Sequence, residues 1–225
     1  MKRNLTIAAA AGLALIVVMG VAAYAYFFSG LRTSPASLTL SSPPASSSPP
    51  NATTGLAATW KVAAGSLAGY RVQELFVGET SKHQAVARTA NVSGGLTVSG
   101  DASGYRVSGI TLTANVTSLH SVDQVAGRDV SQRDGIVTRQ LETQQFPNAT
   151  FTAATATVPA SVTSSPVDVT LPGKLTIHGV TKDVTATAHA QVVGDKIEIA
   201  GTLVINMADY GVSPPRAPFV TVDPT

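Results

Sequence analysis

Val184, Ala186, Ala188, Ala190 and Val192 alternate with Thr185, Thr187, His189 and Gln191, and the pattern resumes at Ile197, Ile199, Gly201, Leu203, Ile205 and Met207. A period of two puts each set on one face of an extended strand. Ile110, Leu112, Ala114 and Val116 repeat the pattern earlier, as do Val167, Val169 and Leu171, continued by Leu175 and Ile177. The Gly194-Asp195 step predicts a tight hairpin between two of these strands. Gly94-Gly95 and the stretch from Gly100 to Gly104 punctuate the earlier ones. Antiparallel strands with one apolar face each must bury those faces in a sandwich or a closed barrel. The long alternating stretches 105–116 and 196–207 favour a strongly tilted barrel.

One stretch breaks the pattern. Val130 to Thr143 carries Ile136, Val137 and Leu141 at helical spacing among Arg133, Asp134, Arg139 and Glu142. Ser131 is placed to cap this helix with Asp134 three residues on, and Pro147 to stop it. The expected fold class is therefore all-β, with one helix inserted between strands.

The first 57 residues differ from the rest. Leu5 to Phe28 is 24 residues without a charge, preceded by Lys2 and Arg3. As a helix it would span about 36 Å, enough for a hydrocarbon core of about 30 Å. The leading basic residues place the N-terminus in the cytoplasm and everything after Phe28 outside. A cleaved signal peptide ending at Ala23-Tyr24-Ala25 is the rival reading, and it exports the domain equally. Residues 29–57, with Pro35, Pro43, Pro44, Pro49 and Pro50 among Ser, Thr and Ala, predict an extended stalk. Residues 58–225 form one domain, large enough to build a core without staples.

Composition removes several function classes. With no cysteine, the chain has no disulfides, thiol nucleophile or lipid-modified cysteine. Three of the fifteen basic residues, Lys2, Arg3 and Arg32, precede residue 58, so the domain balances 12 cations against 13 carboxylates. No Lys/Arg run provides the footprint of nucleic-acid binding. The four histidines, His83, His120, His178 and His189, show no metal-ligand spacing and are expected at the surface. No nucleophile elbow, H-E-x-x-H, phosphate loop or dinucleotide fingerprint is present, so no enzyme activity and no cofactor are expected.

The residues around the alternation resemble the YceI-like, polyisoprenoid-binding domain family. Thr59-Trp60-Lys61-Val62 and Ser66 to Glu74 resemble its opening strands, and Val92-Ser93-Gly94-Gly95-Leu96-Thr97-Val98 a later one. Leu141-Glu142-Thr143 followed by Phe146-Pro147-Asn148-Ala149-Thr150-Phe151 resembles its helix-to-strand passage. Gly173 to Thr181 is similar to its Leu-Thr-Ile-x-Gly-x-Thr strand and turn, and Ala208-Asp209-Tyr210-Gly211-Val212 to its ending. The chain stops soon after Phe219-Val220, so the closing strand is expected to be short or absent.

The resemblance implies an extended, lipocalin-like antiparallel β-barrel whose apolar tunnel holds a polyisoprenoid or similar amphiphile. Tyr70, Val72, Phe76, Leu96, Val98, Leu112, Phe146, Phe151, Leu175, Ile177, Leu203 and Ile205 are the expected lining. The small residues Ala153, Ala186, Ala188, Ala190 and Gly201 would leave room for a hydrocarbon, unless large aromatic residues reach across and fill the gap. Arg128, Arg133 and Arg139, with Asp129 and Asp134, either approach a ligand's polar head or form a solvated helix face. Trp60 is expected to plug one end. The expected function is extracytoplasmic binding, transport or storage of a polyisoprenoid, quinone or fatty-acyl lipid, with the membrane as partner through the N-terminal helix. The alternative is a non-lipid structural or protein-interaction module of the cell envelope.

Overall fold

A computed structural model describes residues 32–42, 55–101 and 103–225. The proposed anchor, the Ala23-Tyr24-Ala25 step and residues 43–54 of the Pro-rich segment lie outside the described residues. The described strands are β1 (Arg32–Thr33), β2 (Ala58–Lys61), β3 (Ala68–Phe76), β4 (His83–Thr89), β5 (Val92–Asp101), β6 (Gly104–Asn115), β7 (His120–Ser121) and β8 (Gln124–Val125). Helix α1 (Gln132–Gln140) follows, then β9 (Asn148–Val158), β10 (Val167–Ile177), β11 (Val180–Val193), β12 (Lys196–Thr202), β13 (Arg216–Ala217) and β14 (Val220–Val222). Among these residues no helix is long and apolar enough to cross a membrane.

The alternation read from the sequence organises the larger sheet, seven antiparallel strands in the order β12-β11-β10-β9-β6-β5-β2. Val167 lies opposite Ala190, Val169 opposite Ala188 and Leu171 opposite Ala186, so one β10–β11 face is apolar until Lys182, which lies opposite Leu175. The hairpin turns where expected, Val193 pairing with Lys196 and Gly194 supplying a φ of 60°. A second sheet has five strands in the order β13-β14-β3-β4-β7, and β1 pairs with β8.

One bulge bends the larger sheet, with Leu96 of β5 opposing both Gly109 and Ile110 of β6. The β5–β6 register shifts between Gly95 and Thr97, and Gly109 on β6 has a φ of 61°. Bulges of this kind bend a strand and raise its twist. Tyr105 and Val107 are buried before the Gly109 bend, whereas Ile110 and Ala114 carry the apolar face after it. Val116 belongs to a 3-10 turn (Val116–Ser118) rather than to the strand.

The described strands form a lipocalin-like curled half-barrel, in keeping with the short closing strand expected from the sequence, β14 having three residues. The stretch 196–207 keeps ladder pairing only to Thr202. Asn206 then accepts a hydrogen bond from the Ala208 N–H, and Gly211, at a φ of 70°, ends the turn Met207–Tyr210. That turn diverts the chain, and β14 pairs with β3 instead of β12. Side chains rather than a ladder bridge the sheets: Met207 packs both against Val72, Ala85 and Val222 and against Leu175, Tyr210 and Val212.

The helix forms, but its ends differ from expectation. Ser131 makes no capping bond and donates its hydroxyl to Asp129 instead. Asp134 receives the N–H and hydroxyl of Ser121. The helix ends well before Pro147, where Glu142 takes a left-handed φ of 46°.

The segment read as a stalk is extended over residues 32–42, yet it is docked. Ser34 donates to the Gln84 carbonyl, while Arg71 and Arg88 donate to the carbonyls of Pro35 and Ala36. Five residues past Ala36 the Ser41 N–H and hydroxyl donate to Glu198, at 3.1 and 2.7 Å, and Gln191 donates to the Ser41 carbonyl at 2.9 Å. The segment thus laces β3 and β4 to β11 and β12. Glu198→Ala should release only the far end. Hydrogen exchange at Ser41 should accelerate while Arg32 and Thr33 stay protected, at a cost below about 1 kcal/mol, as for exposed polar contacts. Uniform loss of protection over 32–42 would contradict this division.

Candidate functional site

Strand β10 carries one unbroken apolar face from Val167 to Ile177, roughly 33 Å long at strand rise. At its start Val98, Tyr105, Val107, Val158, Val162 and Val167 are packed together, with Trp60 and Leu56 against them. Trp60 is half-buried against this cluster beside the bulge at Leu96, its indole N–H donating to the Leu56 carbonyl at 3.0 Å. At the other end Leu175, Tyr210 and Val212 pack with Leu141, Phe151, Ile177, Leu203 and Ile205. Two large residues on this face stay open to solvent: Leu112, opposite Phe151, is 41% exposed, and Ile199, opposite Ala190, is 52% exposed.

The twelve expected lining residues divide among several places. Phe151, Leu175, Ile177, Leu203 and Ile205 share the second cluster, with Leu112 beside Phe151. Leu96 and Val98 belong to the first cluster. Tyr70 and Val72 lie on the smaller sheet, and Phe76 is buried there against His83 with the Arg128 guanidinium 4.2 Å above its ring. Phe146 and Phe151 cover glycines: a Cβ on Gly179 would come within 2.6 Å of the Phe146 ring, and one on Gly173 within 2.8 Å of the Phe151 ring. The buried alanines Ala153, Ala186, Ala188 and Ala190 are already packed. Two open hollows lie elsewhere, one of about 320 Å³ at the bend beside Trp60, Gly95 and Gly109, the other of about 360 Å³ beside Asn91, Thr113 and Asn148. Of the twelve, Leu96 alone borders either hollow.

A buried ionic network stands on the smaller sheet. Arg133 on α1 grips Glu74 through Nε at 2.9 Å and Asp123 through Nη1 at 2.8 Å. Asp123, 2% exposed, also meets His83 Nε2 at 2.7 Å and accepts the Val86 N–H at 3.0 Å. His83 is therefore interior, a correction to the surface expectation, because a carboxylate partner makes its burial affordable. Arg133 is likewise consumed by protein carboxylates rather than left for a ligand head, and only Arg139 sits on the exposed helix face as expected. Burial alone would raise the Asp123 carboxyl, but the bonds from His83, Arg133 and Val86 outweigh it and hold the carboxyl well below the usual range.

A second polar margin borders the apolar face. His178, at a left-handed φ of 51°, donates its Nδ1–H to the Tyr210 carbonyl at 3.1 Å, and its Nε2 lies 3.7 Å from Glu142. Phe146 meets its ring edge-on at 5.0 Å. His178 Nε2 and the Tyr210 hydroxyl are buried without a hydrogen-bond partner among the described residues. Burial raises the Tyr210 phenol, with Asp209 adding to the effect, so it remains a neutral hydroxyl. Two strained non-glycine residues, Glu142 and His178, so close together are typical of binding sites. Sequence reading placed His178 in a surface turn, and the available signal was its position inside the Leu-Thr-Ile-x-Gly-x-Thr stretch.

Asp123→Asn should destabilise the domain by about 3–5 kcal/mol, the cost of breaking a buried ion pair from one side. Because the folded-state pKa of Asp123 is depressed, its contribution is complete above the unfolded carboxylate value, about 4. It is lost as pH falls from there toward the folded value. Chemical denaturation at several pH values should therefore show a shallower acid limb in the variant. An unchanged limb would assign the acid sensitivity to other carboxylates.

Residues 61–224 match the YceI-like domain family. No curated protein matches the chain. Among solved structures it is similar to a polyisoprenoid binding domain from Saccharophagus degradans implicated in plant cell wall breakdown, at 20% identity, 69% coverage of this chain, 82% of that one and a TM-score of 0.45. It is also similar to Burkholderia cenocepacia BcnA, at 17% identity, 68% and 91% coverage and a TM-score of 0.42.

Proposed function

This chain belongs to the YceI-like domain family, and from that premise we propose that it binds a long apolar ligand, a polyisoprenoid or lipid of similar length, along the apolar face of β10. The observation that carries this reading is the exposure of Leu112 and Ile199 on a face whose other large apolar side chains are buried or half-buried. Leu112 stands level with Leu175 and Ile199 level with Val167, so a hydrocarbon laid obliquely across the face from one end of β10 to the other would cover both residues. Each CH₂ it buries contributes about 0.8 kcal/mol, so length alone supplies affinity. The Tyr210 hydroxyl, without a hydrogen-bond partner among the described residues, and His178 Nε2, with Glu142 no nearer than 3.7 Å, border the second cluster. They suit a hydroxyl or carbonyl at one end of the ligand, since a buried polar group gains by finding a partner. Binding of this kind needs no covalent step and no catalysis. The uncharged segment Leu5 to Phe28 holds the domain at the extracytoplasmic face of a membrane, where such ligands reside.

Two variants separate ligand surface from structural core. Leu112→Glu with Ile199→Glu should weaken uptake of a fluorescent prenyl probe at least tenfold, about 1.4 kcal/mol, while stability changes by about 0.5 kcal/mol or less, as at exposed sites. Leu175→Ala, in the packed cluster, should instead cost about 2–5 kcal/mol of stability. Unaltered probe uptake in the double variant, or no uptake by the parent protein under native mass spectrometry, would overturn the reading.

A further inference from the structure

Val77 and Phe219 are the exposed apolar pair at the end of the smaller sheet, 68% and 50% open to solvent. They are held side by side, the Val77 N–H donating to the Phe219 carbonyl at 3.0 Å. The same turn receives the start of the docked N-terminal segment. Glu79, two residues past Val77, pairs with Arg32 at 2.9 Å, and Arg32 lies opposite Val125 in the β1–β8 pair. Arg32 is thus fixed against the domain from two sides.

The sequence then sets a short leash. Only Ser29, Gly30 and Leu31 separate Phe28, the last residue of the uncharged segment, from Arg32. Four extended residue steps reach about 14 Å at most. The polar interface on each side of a bilayer is about 5–7 Å deep. The turn bearing Val77 therefore cannot stand off from the bilayer as it would on a free stalk of 29 residues, because the docked contacts of residues 32–42 use up the slack.

We propose that the Val77–Phe219 tip is a membrane-contacting surface, seated in the headgroup layer of the bilayer that the N-terminal segment crosses. The inference rests on the anchoring reading above and is independent of the ligand. An aromatic and a branched aliphatic side chain presented together suit the headgroup and acyl boundary, where amphipathic surfaces bury apolar groups. Lys82, 52% exposed at its side chain and paired with Asp223 at 2.6 Å, lies on the same hairpin and can face phosphate at the rim. Seating this end fixes the orientation of the half-barrel against the membrane, so an apolar ligand leaving the bilayer need not cross bulk water.

The absence of native cysteine makes the test direct. Single variants Val77→Cys, Phe219→Cys and Ser164→Cys of the full chain, each carrying an NBD fluorophore, are reconstituted into phosphatidylcholine and phosphatidylglycerol vesicles with and without doxyl-labelled lipid. All three positions are exposed, so the labels do not disturb the core. The proposal expects blue-shifted emission and several-fold stronger lipid quenching at 77 and 219 than at 164. Equal quenching at the three positions would overturn it. So would a mass measurement placing the mature N-terminus of the membrane-extracted protein beyond Phe28. Prenyl uptake is not read in this assay, so failure of the ligand reading would leave its outcome untouched.

Discussion

A strand with an apolar side chain at every second position must hide one face, and the fold of this protein is the consequence of four such strands in succession. Strands β9 to β12 are joined in order, and the β10–β11 ladder holds a constant register from Val167 and Ala190 to Ile177 and Val180. With no bulge in that ladder, Val167, Val169, Leu171, Leu175 and Ile177 fall on the same side as Ala186, Ala188 and Ala190. A one-residue slip would turn the whole set to solvent. The remaining elements cover this face: the Val162 turn and Trp60 at one end, and Tyr210 with the end of α1 at the other.

That coverage is uneven, and the unevenness gives the site its character. Val98, Tyr105 and Val167 at one end, and Leu175 and Val212 at the other, are sealed by neighbours. Leu112, level with Phe151 and Leu175, and Ile199, level with Ala190 and Val167, are not. The smaller sheet could have closed over them, but Asn206 and Gly211 turn the chain away after Thr202, and β14 joins β3. The result is an apolar face left open at Leu112 and Ile199, with the Tyr210 hydroxyl buried without a hydrogen-bond partner among the described residues beside one end. The docked N-terminal segment ties the two sheets from outside the ladders, linking Gln84 to Glu198 through its own backbone and Ser41.

Period-two patterning made β10, β11, β12 and their hairpin legible in the sequence, because sheet register depends on local alternation. The family resemblance was legible too, since its motifs are short and ordered. What escaped depends on distant pairing. Glu74 and Arg133 are 59 positions apart, and nothing local to either predicts that they meet. His83 is read as a surface residue until Asp123 is placed against it. The Ser131 cap failed because Asp129 competed for the hydroxyl. The Pro-rich segment has the composition of a free stalk, and its docking rests on Arg71, Arg88 and Glu198, each in a different strand.

The account stands on the claim that the face shared by Leu112 and Ile199 receives a long hydrocarbon. Photo-crosslinking with a benzophenone-bearing prenyl chain, followed by peptide mapping, tests it most directly. Adducts are predicted in Ile110–Ala114 of β6 and Ile197–Gly201 of β12, displaced by an unlabelled isoprenoid. Adducts confined to the threonine-lined opposite face, or labelling that the competitor fails to displace, would contradict it.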